Sequence, residues 1–245
     1  MESIFDFSET VDLEDVRSVL ECQIHYNMAI AEEGLRGDYG ANIGSVLLAS
    51  EGNDVRIRAK AMAAAGSDAR MNGCPMPVVI NSGSGNQGIT VSVPVVIYAE
   101  DLKLPREKLL RALVVANLIA VHQKNYVGSL SAYCGVVSAA CGAACGICYM
   151  LDHPRSVLRD TITNTIATVG GMVCDGAKSS CAAKISTALQ TALLGMKMGV
   201  RNCAFKPGEG MVKEDVEETI SNIGRMGRVG MKATDNEILN IMLGN

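Results

Sequence analysis

Apolar residues recur at helical spacing along most of the chain, and glycine or proline interrupts the periodic segments. Leu13, Val16 and Leu20 share one face of residues 11–33, and Gly34 follows. This three-to-four-residue spacing predicts an amphipathic helix, and a glycine just after it is typical of a helix end. The same pattern predicts helices over 53–65, from Pro105 through REKLLRALVVANLIAV, over 129–151, from Pro154 to the Gly170–Gly171 break, over 177–198 and over 235–243.

Two local features refine this pattern. The segment ITVSVPVVIYA is ambiguous, because its β-branched residues favour a strand, whereas a helix beginning just after Gly88 would carry Pro94 in an early turn. At the last predicted helix, Thr234 and Glu237 have the spacing of a capping box. No repeat, charge block or Pro/Ser-rich linker divides the chain. We therefore predict a mainly α fold, a single helical domain over 1–245 with buried small-residue-rich helices and little or no β structure.

Charge and composition narrow the class of protein. The chain has 22 Lys and Arg against 26 Asp and Glu, a formal net charge of -4, so it lacks the basic surface that nucleic-acid binding requires. The uncharged stretch 125–151 is long enough to span a bilayer but is rich in Gly, Ala, Ser and Cys and lacks aromatic or basic flanks. The first twenty residues are acidic and amphipathic, unlike a signal peptide. We predict a cytoplasmic protein with no nucleic-acid or membrane partner.

Nine cysteines are the chain's most unusual feature. In a reducing compartment, clustered cysteines are more often metal ligands or reactive thiols than disulfides. On one helix, Cys134, Cys141, Cys145 and Cys148 would form a stripe about 21 Å long, too long for one metal centre to use all four. We interpret Cys141, Cys145 and Cys148 as small core residues.

Two cysteines differ from this stripe, because each is followed closely by glycine and lies near a predicted helix start. Cys134 precedes Gly135, and Cys174 lies in the segment CDGAKSSCAAK. Backbone amides at a helix N-terminus lower a thiol pKa and favour thiolate, the form that binds metal. Cys181, two turns along the same predicted face, is a further ligand candidate. Lys178 would add positive charge, unless it is an ordinary solvated lysine.

A glycine-rich segment resembles an anion-binding turn; it comprises Ser82, Gly83, Ser84, Gly85, Asn86, Gln87 and Gly88. Small residues let backbone amides approach a ligand, and a helix that follows would add its N-terminus. The spacing matches neither the Rossmann nor the P-loop motif, so nucleotide binding is unsupported. We predict a carboxylate or phosphate site, with a plain glycine turn as the alternative.

Five motifs together resemble the L-cysteine desulfidase family, which is related to the α chain of iron–sulfur-dependent L-serine dehydratase. They are AEEGLRGDYG, NSGSGNQG, LSAYCG, CDGAKSSCAAK and GMKATDNEI, and the resemblance covers essentially the whole chain. It implies a lyase with an oxygen-labile [4Fe–4S] cluster that eliminates sulfide from L-cysteine, or water from L-serine, giving pyruvate and ammonia. By motif it implies Cys134 and Cys174 as cluster ligands and Cys181 as counterpart of a further dehydratase ligand. The glycine-rich segment would then anchor the substrate carboxylate, and Lys178 is a candidate base or carboxylate partner.

The resemblance also implies a missing ligand. Desulfidases take their third ligand from a Gly-Cys-Thr-Glu-Pro motif near the start of a longer chain, and this sequence lacks it. We therefore expect the C-terminal portion of the family, acting as a homo-oligomer or with a partner chain that supplies the N-terminal segment. The alternatives are a pyridoxal-phosphate lyase and a non-catalytic fragment or subunit that completes its site with a partner chain.

Overall fold

The computed structural model describes residues 1–128 and 131–245, and within these ranges the chain is mainly helical with no strand assembled into a sheet. The predicted mainly α, single-domain fold is confirmed. The helices are α1 (Glu2–Thr10), α2 (Leu13–Arg36), α3 (Ile43–Glu51), α4 (Val55–Met71), α5 (Gly85–Asp101), α6 (Arg106–Val127), α7 (Val136–Met150), α8 (Arg155–Val169), α9 (Ser180–Val200), α10 (Val216–Arg225) and α11 (Lys232–Leu243), with a π-helical turn at Met226–Gly230.

Helix α7 lies at the centre of the bundle and packs against α5, α6, α8 and α9. Its glycines let the backbone of α6 approach closely. A Cβ on Gly142 would overlap the carbonyl oxygen of Ala116, and one on Gly146 would lie 2.7 Å from the carbonyl oxygen of Ala112. The abundance of small residues in this segment is therefore a packing requirement.

The cysteine stripe of α7 belongs to this packed centre. Cys141, Cys145 and Cys148 are fully buried. Burial raises the pKa of Cys148 to about 12 and that of Cys145 well above its usual value. Cys145 and Cys148 therefore stay neutral. All three residues act as small core residues, as the length of the stripe predicts.

The ambiguous apolar segment is helical. Helix α5 begins at Gly85, earlier than the alternative starting after Gly88, so Pro94 lies in the helix interior rather than in an early turn. Residues 85–99 are all buried, with α2, α4, α6 and α7 packed around them. Burial on every side suits β-branched residues in a helix as well as in a strand, so tertiary packing overrides the strand propensity.

Several predicted boundaries shift. The cysteine-rich helix begins at Val136 rather than 129, because 131–134 form no helix and Gly135 is its N-cap; 129–130 lie outside the described residues. Helix α9 begins at Ser180 rather than 177. The predicted capping box does not form, because α11 continues directly from the π-helical turn with Met231 at its N-cap, which leaves Thr234 inside the helix.

Among the described helices, none combines the length and the apolar character that crossing a bilayer requires. Within the described residues, the uncharged stretch comprises the end of α6, a short non-helical segment around Tyr133 and α7. The apolar residues of α7 are buried against other helices of the bundle.

Candidate functional site

The two predicted ligand cysteines, forty residues apart in sequence, lie on two short antiparallel segments. A single bridge pairs Tyr133 with Val173. The backbone amides of Cys134 and Cys174 each donate to a carbonyl of the opposite segment, at 2.8 and 2.6 Å. Residues that follow the two members of such a pair lie on the same face of the ribbon. The backbone pairing therefore places the two thiols on one face of the ribbon, as diagonal neighbours across its two segments.

The two thiols have opposite acidities. A hydrogen bond with the Cys174 thiol, together with burial, raises the pKa of Cys134, which is only 5% exposed. The same interaction lowers the pKa of Cys174 to about 6, with help from the backbone amide of Gly176 and the charge of Lys184. At neutral pH Cys174 is therefore a thiolate that accepts a hydrogen bond from Cys134. A thiolate is the form that reacts as a nucleophile or binds metal.

The cause of this acidity differs from the prediction. Helix α9 begins at Ser180, so Cys174 is not at a helix N-terminus and the helix dipole does not activate it. The nearby positive charge belongs to Lys184, which extends from the first turns of α9 and forms an ion pair with Asp175. The N-cap of α9 is Ser179, so Asp175 is not a capping residue. Lys184 lies ten residues beyond Cys174 and is the last residue of the CDGAKSSCAAK motif, but no role was predicted for it.

A second lysine near the thiols is also absent from the sequence prediction. Lys124 lies in the last turn of α6, is 8% exposed and makes no ion pair or hydrogen bond through its amine within 1–128 and 131–245. Burial lowers the pKa of its amine, and the opposing influence comes from Cys174 and Cys134. Its local sequence, His-Gln-Lys-Asn at 122–125, is polar and gives no indication that the lysine is buried.

The remaining predicted residues of this region lie in or after the loop that precedes α9. Lys178 is exposed there. Cys181 is in the first turn of α9, where its thiol is 3.6 Å from the carbonyl oxygen of Gly176, so Cys174 and Cys181 do not share a helix face as predicted. Across the described residues, no three Cys, His, Asp or Glu side chains form a group that could hold a metal ion. The thiol pair thus fits two ligands of a cluster, and Cys181 does not complete a set of three.

The glycine-rich segment forms a tight turn that leads directly into α5. Ser82 and Gly83 adopt φ values of 50° and 81°, in the left-handed region. Asn81 and Ser84 exchange two backbone hydrogen bonds, at 3.2 and 3.0 Å, which close the turn. Since α5 begins at Gly85, its first backbone amides have no partner inside the helix. This is the geometry of an anion-binding helix start.

The side chain of Gln87 joins this turn to the cysteine ribbon. Its amide lies against Gly135, where a Cβ would be 2.5 Å from Nε2 and 2.7 Å from Oε1. Only glycine at position 135 leaves room for this contact. The predicted substrate segment and the predicted ligand Cys134 therefore meet in one place, although they are far apart in sequence.

The end of α4 borders the same place. The guanidinium of Arg70 lies over Gly85, where a Cβ would be 2.8 Å from Cζ, and it donates to Oδ1 of Asn86 at 3.3 Å. Oδ1 of Asn72 accepts from the hydroxyl of Ser179 at 2.8 Å, which fixes the loop after Cys174 to α4. Four parts of the chain thus surround the site: the end of α4, the start of α5, the ribbon and the loop before α9.

Known proteins similar to the chain match over nearly all of it. A family model described as serine dehydratase alpha chain matches residues 2–240. A UPF0597 protein of Lachnoclostridium phytofermentans is 54% identical over 241 residues, which cover 98% of this chain and 58% of that protein. UPF0597 protein DSY1109 of Desulfitobacterium hafniense is 55% identical over 240 residues, which cover 98% of this chain and 56% of that protein. The chain spans little more than half the length of these relatives, and no solved structure matches it.

Proposed function

Because the chain belongs to the serine dehydratase α chain family, we propose that the thiol pair and the glycine-rich turn form the active site of a lyase. It acts on small β-substituted amino acids, with L-cysteine and L-serine as substrates. The observation that carries this proposal is the packing of Gln87 on Gly135, which brings the substrate segment onto Cys134. The family suggests that the reaction is an elimination, and the contact between the substrate segment and the residue next to Cys134 supports this proposal.

The reaction is a β-elimination. A base takes the Cα proton, and the bond between Cβ and sulfur or oxygen breaks as the leaving group departs. The remaining aminoacrylate tautomerises and reacts with water to give pyruvate and ammonia. Hydrogen sulfide is the other product from L-cysteine, and water is the other product from L-serine.

We propose a [4Fe–4S] cluster as the cofactor, with Cys134 and Cys174 as two of its ligands. Cys174 is already a thiolate at neutral pH, and Cys134 would release its proton on binding iron. Held by these residues, such a cluster would supply a Lewis acid that stabilises the leaving group. The chain's own third candidate, Cys181, does not join the pair, so we propose that a partner segment contributes the third ligand.

The chain's own residues bind and orient the substrate. The first amides of α5 and the turn from Ser82 to Gly88 receive the carboxylate, which faces an N-terminal helix dipole. Two lysines are candidates for the base. Lys178 matches the family motif but is exposed, whereas Lys124 lies buried beside the thiols, where water is excluded. Substituting each lysine by methionine and comparing the rates of turnover distinguishes these candidates.

Anaerobic reconstitution with iron and sulfide tests the assignment. We expect Cys134→Ala and Cys174→Ala to lose bound iron, the visible absorbance of the cluster and pyruvate formation from both substrates. Cys22→Ala is the matched control, because Cys22 is exposed on α2, outside the four parts of the chain that surround the site, and it should retain all three properties. Full iron and activity in both site variants would refute the ligand assignment.

A subunit that completes its site with a partner chain is the second candidate function. It is favoured because no third ligand joins Cys134 and Cys174 among the described residues, and because the relatives are longer than this chain. In this case the isolated chain would neither hold a cluster nor turn over substrate. Adding the remaining portion of a full-length relative would restore both properties.

A further inference from the structure

Two polar side chains beside the start of α5 have hydrogen-bonding capacity that the described protein leaves unused. The first is Arg70, near the end of α4. Its only side-chain hydrogen bond is the one to Asn86, and it forms no ion pair within 1–128 and 131–245. Most of the other arginines in the described ranges form an ion pair with an acidic side chain, as Arg155 does with Glu9. A half-buried guanidinium without a carboxylate, next to a helix N-terminus, is suited to an anionic ligand.

The second is Gln87, in the first turn of α5. It is 7% exposed, and its Oε1 is buried with no hydrogen-bond partner among residues 1–128 and 131–245. An unsatisfied buried carbonyl is costly, by about 1–3 kcal/mol. Since its amide lies against Gly135, the unused acceptor is held between the carboxylate-binding turn and the ribbon that carries the thiols. A donor from a bound ligand would satisfy it.

We propose that Arg70 binds the α-carboxylate of the substrate and that Gln87 accepts a hydrogen bond from its α-ammonium group. Together they recognise an α-amino acid as a zwitterion. The carboxylate lies at the start of α5, where Arg70 and the free helix amides both donate. The ammonium group reaches Oε1 of Gln87 beside Gly135, and the β-substituent then extends toward Cys134. The inference rests on the proposed function for the identity of the ligand as an amino acid.

Ligand binding without turnover tests this inference. The dissociation constants of L-serine and L-serinamide, whose carboxylate is replaced by a neutral amide, are measured by calorimetry on the full chain. We expect the wild type to prefer L-serine, and Arg70→Met to weaken L-serine binding by about 10- to 100-fold while affecting L-serinamide little. Arg70→Lys should keep part of the preference because it keeps the charge. Arg17→Met, an exposed arginine on α2, is the matched control and should bind like the wild type.

The role of Gln87 in binding the ammonium group is tested with a second pair of ligands, L-serine and glycerate. Glycerate is L-serine with a hydroxyl in place of the ammonium group. Gln87→Leu should weaken L-serine binding about tenfold or more but leave glycerate binding close to that of the wild type. A purely structural role for either side chain would instead weaken all ligands together, and circular dichroism with thermal denaturation reports whether each variant is folded.

The outcomes separate this inference from the proposed reaction. L-serine binding that is unchanged in folded Arg70→Met and Gln87→Leu overturns the inference, as does a wild type that binds no α-amino acid. Binding with the expected selectivity, but without pyruvate formation from the reconstituted protein, would overturn the elimination reaction and leave the recognition of the zwitterion standing.

Discussion

At the scale of single residues, the acidity of one thiol depends on groups that are distant in sequence. Cys174 accepts a hydrogen bond from Cys134 and lies near Lys184. None of these contacts follows from the local sequence around Cys174. The helix-dipole explanation does follow from local sequence. It is wrong because residues 175–179 separate Cys174 from the start of α9.

This environment predicts the pH dependence of alkylation in the reduced, metal-free protein. The deprotonated fraction of Cys174 should rise as the pH rises through about 6, rather than through 9, so its reaction with iodoacetamide should be nearly maximal at pH 8. Mass spectrometry of the peptide containing Cys174 measures the rate. Lys184→Met should move the midpoint to higher pH, because it removes a positive charge that stabilises the thiolate, and Arg17→Met should not move it. A midpoint near 9 in the wild type would contradict this explanation.

The contact between Gln87 and Gly135 gives a second prediction at this scale. Gly135 has an ordinary helical backbone conformation, so Gly135→Ala introduces no backbone strain but forces the Gln87 amide aside. We expect a loss of about 1–3 kcal/mol in the free energy of unfolding and weaker L-serine binding. Adding Gln87→Ala should restore most of the stability, because the shorter side chain leaves room for the new methyl group, but should not restore binding. A double variant as unstable as Gly135→Ala would show that the clash lies elsewhere.

At the scale of helices, periodicity predicted the long elements and missed the short ones. Helices α1, α3 and α10 have nine or ten residues, and a short segment offers few repeats of the pattern. In α10, however, Val216, Ile220 and Ile223 do follow helical spacing, so this helix could have been predicted. The end of α4 was missed for another reason. Gly66 resembles a helix stop, yet a Cβ there would be 3.3 Å from Cα of Ala31, so this glycine serves the close packing of α2 and the helix continues to Met71. Arg70 was missed with it.

The close contact between α6 and α7 provides a test at this scale. Within a helix, replacing glycine by alanine usually stabilises a protein by up to about 1 kcal/mol. At Gly142 the new methyl group would overlap a backbone oxygen of α6, which cannot move cheaply. We expect Gly142→Ala to lower the free energy of unfolding by about 1–3 kcal/mol, measured by urea denaturation. Gly230→Ala, where the nearest atom is 3.9 Å away, should have little effect. An unchanged or higher urea midpoint for Gly142→Ala would contradict the packing argument.

At the scale of the whole molecule, the hydrophobic core extends from Phe5 to Met231, and α11 adds little to it. No residue of α11 is buried, and its contacts are mainly with the π-helical turn. A chain ending at Met231 should therefore have a urea midpoint close to that of the full chain. We expect its free energy of unfolding to fall by no more than about 1 kcal/mol. A chain ending at Asp215 also loses Ile220 and Ile223, which are buried, and should be much less stable. A large fall in the free energy of unfolding for the chain ending at Met231 would contradict the conclusion that α11 adds little to the core.

The sequence predicted much of the fold and only part of the site. The mainly α class and most long helices follow from apolar spacing, and family motifs indicate Cys134 and Cys174. The functional environment depends on side chains brought together by tertiary packing. Lys124, Lys184 and Arg70 come from three different helices, and each looks like an ordinary helix residue when its own segment is considered alone. Their significance depends on where α4, α6 and α9 end or begin relative to the ribbon.

The ribbon joining Cys134 to Cys174 has a kinetic consequence for metal capture. Bringing together two ends of a flexible segment of forty residues costs about 3 kcal/mol in loop-closure entropy. Here the α7–α8 hairpin and the backbone bridge have already closed that loop on folding. Each thiol therefore experiences the other at a high effective concentration before any iron arrives. An incoming ion bound by one sulfur meets the second without a search through chain conformations, so loading should be fast and should leave the helices in place.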